Sequence, residues 1–156
     1  MAEDTARIQS YSEFWPYYIS EHRQPRCRTV HFVGTSGFLL VFLYCLLTTP
    51  VSFGAGAVAA ISLGILAWPY ESQYNMAPVL LAMLLCMIIG NWLILFGIAF
   101  AYGAAWYGHF RIENNTPATF TYPLWSLGSD FVMYGHMVSG QLWEGDGSEI
   151  APVTAP

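Results

Sequence analysis

The sequence predicts an all-α integral membrane helical bundle, with four transmembrane helices and flanking interfacial helices. Three observations carry that expectation. Hydrophobic residues make up 55% of the 156 positions and charged residues only 10%, against roughly 25% charged in soluble domains. The 42 residues 29–70 contain no formally charged side chain, and neither do the 39 residues 72–110, where His109 is the one group titrating near neutrality. Only Glu71 separates these blocks. As one helix each block would run about 60 Å, roughly twice the hydrocarbon thickness of a bilayer, so each must turn back if embedded.

The elements follow in order. The opening stretch "MAEDTARIQSYSEFWPYY" lacks a basic segment followed by an apolar one, so insertion is expected to rely on later segments. "SYSEFWPYYISEHRQP" reads as a short helix with Ser12 as N-cap and Pro25 as its stop. Its Phe14, Trp15, Tyr17 and Tyr18 suit the headgroup level. The first apolar block divides at Thr48-Thr49-Pro50 into spans near 30–48 and 51–70. The second divides at Gly90-Asn91 into spans near 76–90 and 91–109, the alternative being one long tilted helix and three crossings. Gly34, Gly37, Gly54, Gly56, Gly64, Gly97 and Gly103 suit close helix packing in lipid.

After the spans, "ENNTPATFTYP" reads as a polar turn and "LWSLGSDFVMYGHMVSG" as an interfacial or re-entrant helix, too short and polar to cross. Residues 1–142 are expected to form a single membrane domain. Residues 143–156, acidic and containing Pro and Gly, are expected to be a disordered tail.

Charge narrows the function classes. A net charge of −5 without a single lysine provides no basic footprint for nucleic acid. Cys27, Cys45 and Cys86 are odd in number and at no metal-ligand spacing, so they suggest neither a disulfide framework nor a zinc motif. Arg23, Arg26 and Arg28 precede the first span and Arg111 follows the last. An even number of crossings puts all four on one side, which the positive-inside rule assigns to the cytoplasm. Glu71 is expected in a loop on that same side.

The same parity gathers the chemistry. His22, His31, His109 and Glu113 all reach one interface if the chain crosses an even number of times. His109 and Glu113, at i and i+4, would share a helix face, and such a pair can ligate a cation or form a hydrogen bond. Two histidines and a carboxylate suit non-haem Fe(II); three histidines and a carboxylate suit zinc equally. His136 is a further metal candidate, and Arg23 and Arg111 are candidate clamps for an acidic headgroup.

Two motifs sharpen this. "FWPYYISEHRQPRCRTVHFVGTS" (14–36) contains H-x8-H-x2-G, and "GHFRIENNTPATFTYPLWSLGSDF" (108–131) contains G-H-x3-E-x3-P-A. With the apolar spans between them they resemble the Mpo-like family of membrane 2-hydroxy fatty acid dioxygenases, formerly a domain of unknown function, over about residues 11–142. The resemblance implies an integral membrane, Fe(II)-dependent dioxygenase with O₂ as co-substrate. It implies α-oxidation of a long-chain 2-hydroxy fatty acid to an acid one carbon shorter, as in breakdown of the phytosphingosine chain. It carries the metal site onto His22, His31, His109 and Glu113. Two departures stand out: typifying members have an adjacent His-His pair where this chain has Glu21-His22, and histidine is not the rule around His136. The host membrane would be a bacterial inner membrane or endoplasmic reticulum, with site and termini on the cytoplasmic side. Other classes remain open at this level: a haem-binding membrane protein using His31 and His109, a zinc-dependent membrane hydrolase, or a structural lipid-binding module.

Overall fold

The computed structural model describes residues 7–151, and every regular element among them is helical. Helix α1 (Tyr11–Ser20) is short, and Ser10 rather than Ser12 caps it, accepting from the Glu13 N–H. Helix α2 (Pro25–Thr48) begins on a proline, whose missing N–H costs nothing in a first turn. Helix α3 (Pro50–Ala67) starts the same way and runs on as a 3₁₀ turn, Trp68–Tyr70. Helix α4 (Ala77–Gly90) and helix α5 (Ile94–Tyr107) are separated at Asn91, as the Gly-Asn break predicts. Helix α5 continues as a wide π turn, Gly108–Glu113, and α6 (Pro123–Val138) closes the order.

Helix α2 packs along α5 and α3 along α4, whereas contacts within the sequential pairs α2–α3 and α4–α5 are sparse. Both connecting turns lie at one end of the bundle. There the Asn91 amide donates to Thr49 Oγ1 and the Ser52 hydroxyl to the Gly90 carbonyl. A core of Cys45, Phe53 and Ile94 seals that end. Toward the opposite end α6 fills the gap, with its Trp125 indole donating to the Trp68 carbonyl.

The paired helices approach closely where they carry glycine. A Cβ on Gly34 would stand 2.8 Å from that of Ala104, and one on Gly56 would collide with the Cys86 carbonyl oxygen. Gly37, Gly90 and Gly97 make similar approaches to Phe100, Phe53 and Val41. Gly64 meets the flexible ends of Met83 and Leu124, Gly54 is only in ordinary contact with Leu46, and Gly103 has nothing nearby among the described residues, so the expectation holds for a subset of the glycines.

The outward faces of these helices are apolar: Leu47, Val51, Leu66 and Ile89 all lie more than 70% exposed. Two segments, Pro25–Thr48 and Pro50–Tyr70, are long and apolar enough to cross a membrane. At 14 residues, α4 and α5 each rise about 21 Å, short of the full hydrocarbon thickness.

Packing does not stop at residue 142. Leu142 and Ala151 are buried, and the Glu144 and Gly145 carbonyls accept from the Arg28 guanidinium. The part of the expected disordered tail up to Ala151 is therefore folded back on the domain, because Arg28 gives its carbonyls a buried donor. The remainder of that tail, 152–156, and the first six residues lie outside the described residues.

Candidate metal centre

Three elements deliver three histidines to one point. His22 follows α1 and is oriented by the last turn of that helix, where its Nδ1 lies 2.6 Å from the Tyr18 carbonyl oxygen. His31 stands in the second turn of α2, and His109 opens the π turn after α5. Ring centroids are 4.6 Å apart for His22–His31 and His22–His109, and 5.2 Å for His31–His109, with the planes near perpendicular. All three side chains are buried.

The hydrogen bonds decide the tautomers. His22 Nδ1 faces a carbonyl, which only accepts. His31 Nδ1 faces Asp130 Oδ1 at 2.8 Å, and that oxygen also accepts from the Tyr18 hydroxyl at 2.6 Å. His109 Nδ1 faces Asn115 Oδ1 at 2.8 Å. The Asn115 amide nitrogen donates to the carbonyl and carboxylate of Glu21, so its oxygen must point at the histidine. Each Nδ1 is thus an N–H donor, leaving each Nε2 with a free lone pair. The Nε2 atoms of His22 and His31 are buried without any partner among the described residues, a state that costs free energy unless something else binds there.

That arrangement fits a metal ion. The histidines each offer a ligand atom within 4.8 Å of the others. Two ligands at about 2.1 Å from a shared ion span at most about 4.2 Å, so small ring movements would close the set. A carbonyl, a carboxylate and an amide behind the three rings are the outer partners that metal-binding histidines use. Burial, reinforced by neighbouring His31 and His109, holds His22 well below the ordinary histidine range and so neutral, as a ligand must be. A haem between His31 and His109 fits poorly, because His22 occupies the space a porphyrin plane would need.

The local sequence accounts for this convergence. Gly34 lets α5 approach α2. Gly108 lets the end of α5 reach His31, since a Cβ there would lie 2.9 Å from Cys27 Sγ and 3.4 Å from His31 Cδ2. Asn114, left-handed at φ 58°, turns the chain so that Asn115 returns to His109.

Glu113 does not join the cluster. Its Oε1 accepts from the Gln24 N–H at 2.7 Å, tying the start of α2 to the π turn. The expected pairing with His109 does not form, because His109 Nδ1 is taken by Asn115 and the Glu113 carboxylate by the Gln24 N–H. His136 also stands apart, bonded to Gln141 and stacked on Trp15. Arg23 and Arg111 are exposed and line neither cavity described below. Asp130 and Asn115 had no signal in the sequence beyond being polar residues after the last span.

A family model described as 2-hydroxy-palmitic acid dioxygenase Mpo1-like matches residues 8–142. The chain belongs to the Mpo1-like family. No curated protein and no solved structure matches it. The match covers all three histidines, Asp130 and Asn115 of this Mpo1-like chain.

The histidines open into a cavity of about 90 Å³, whose wall includes Thr35, Tyr102 and the hydroxyl-bearing Ser126. Ser126 is buried and its Oγ has no partner among the described residues. Beyond lies a second cavity, about 610 Å³, between the two helix pairs. Phe38, Ile98, Tyr102, Leu127 and Phe131 belong to both walls, so the two cavities adjoin.

Proposed function

We propose that this protein is an integral membrane, Fe(II)-dependent dioxygenase that converts long-chain 2-hydroxy fatty acids to acids one carbon shorter. The observation that carries the reading is the trio of buried histidines with free Nε2 atoms at the head of an apolar cavity, in a chain of a dioxygenase family. The family points to a 2-hydroxy fatty acid, and the exposed apolar faces of α2–α5 support a bilayer setting for all four apolar helices. Exposed Arg23, Arg26 and Arg111 at the histidine end favour the cytoplasmic side for the site.

His22, His31 and His109 are the proposed ligands. A three-histidine set suits several first-row metals and leaves coordination positions open to small molecules. Bound there, Fe(II) would supply the redox chemistry that O₂ needs to cleave the C1–C2 bond. The protein's part is positional. Tyr18, Asp130 and Asn115 hold the imidazole tautomers, burial excludes water, and Ser126 Oγ offers a hydrogen bond to an oxygen of the substrate head.

Element-specific metal analysis beside an O₂-dependence assay tests this. Wild type should hold one iron, and His22→Ala, His31→Ala and His109→Ala should each lose it, while Glu113→Ala keeps it. Unchanged metal in all three histidine variants would end the assignment. Stoichiometric zinc with turnover indifferent to anaerobiosis would favour a hydrolase instead.

A further inference from the structure

We propose that the cavity between the helix pairs is an acyl-chain ruler, with Phe42 and Met87 as the floor that sets the longest chain accepted. This rests on the reading that the substrate's head lies at the three histidines. The cavity adjoins the histidine pocket across side chains that line both, and Tyr102 is the one hydroxyl-bearing residue of its described lining. An occupant must therefore be apolar along its length and polar only at the histidine end, which describes an acyl chain entered by its tail.

Its depth is bounded. Phe42 and Met87 line the cavity and also pack on the sealed Cys45–Phe53–Ile94 core, with the Phe42 and Phe53 rings 5.1 Å apart. Along α2, His31 and Phe42 are 11 residues apart, and along α5 so are His109 and Ile98. Both spacings correspond to about 16 Å at the rise of an α-helix, the scale of a long-chain tail. Ala57 and Ala60 of α3 form part of the wall with buried, minimal side chains, so their size sets the width available.

Two substitutions move the ruler in opposite directions. Ala60→Phe puts a ring in the channel, and Met87→Ala lowers its floor. Binding of radiolabelled saturated fatty acids, from octanoic to eicosanoic, to purified protein reads chain length without turnover. Ala60→Phe should weaken hexadecanoic and longer acids by about tenfold or more while octanoic acid is held as before. Met87→Ala should shift the preferred length upward, with iron content equal to wild type in both variants. A length profile unmoved by Met87→Ala, or equal weakening at every length by Ala60→Phe, overturns the ruler. A shifted binding profile in a protein that never shortens a 2-hydroxy acid would keep the ruler and remove the dioxygenase reading.

Discussion

Three imidazoles converge because each is held from behind by a different acceptor, and those acceptors were the less legible half of the site. The histidines could be grouped from sequence, since counting crossings of the apolar blocks brings residues 22, 31 and 109 to one end. Their partners could not. Asp130 lies 99 residues from His31, and nothing in its neighbourhood distinguishes it from an ordinary helix-surface aspartate. The i, i+4 spacing of His109 and Glu113 does not say which partner each side chain takes, and here the Glu113 carboxylate accepts from the Gln24 N–H. The partner that carries most charge should matter most. Asp130→Ala is expected to weaken iron binding about 10- to 100-fold, with Asp130→Asn, which keeps an acceptor without the charge, falling between. Chelator competition followed by metal analysis measures this, and equal affinity in all three proteins would remove Asp130 from the site. Gly108→Ala should also weaken iron binding, by pushing Cys27 or the His31 ring from its place. Gly103→Ala, where no described residue lies within reach, is the matched control.

Helix existence was readable from charge-free length and from Pro and Gly-Asn breaks, but helix partnership was not. Apolar periodicity is uninformative when a helix is apolar all round, and so sequence neighbours α2 and α3 gave no warning that each would pair with a later helix. The small residues mark those pairings. Gly56→Leu should separate α3 from α4, since even a Cβ collides with the Cys86 carbonyl. A loss of about 1–3 kcal/mol is expected from such overpacking, seen as lowered thermal stability in detergent. The N-terminus of α6 supplies a pH-dependent counterpart. Buried Glu71 accepts from the Leu124 N–H, and burial, partly offset by that bond and by Arg7, pushes its carboxyl from 4.5 up to about 7. The folded state thus binds this proton more tightly than the unfolded one. Its contribution is present in full below about 4.5 and is lost as pH rises toward 7. Glu71→Gln should flatten that part of the stability–pH profile, and an identical slope in variant and wild type would rule the assignment out.

At the scale of the whole molecule the chain closes on itself through one arginine. Arg28 reads in sequence as one member of a topology-setting cluster, yet it is fully buried and spends all five N–H groups on backbone carbonyls. Two belong to His22 and Arg23, before α2, and three to Leu142, Glu144 and Gly145, after α6. No sequence pattern announces this, because carbonyl acceptors exist at every position and only the fold decides which ones converge. The consequence is that the segment carrying His22 and the last described residues share a single anchor. Arg28→Met keeps volume but leaves five carbonyls without their donor, and stability falls by about 1–3 kcal/mol for each acceptor left buried and unpaired. Arg28→Lys, with three donors on a point charge, should recover only part of it. Limited proteolysis should cut both variants between residues 142 and 151 sooner than wild type, and iron should leave more readily because the carbonyl of His22 is no longer held. If the segment opened to protease while iron affinity stayed at the wild-type value, the anchor would serve the C-terminal segment alone and the metal centre would be independent of it.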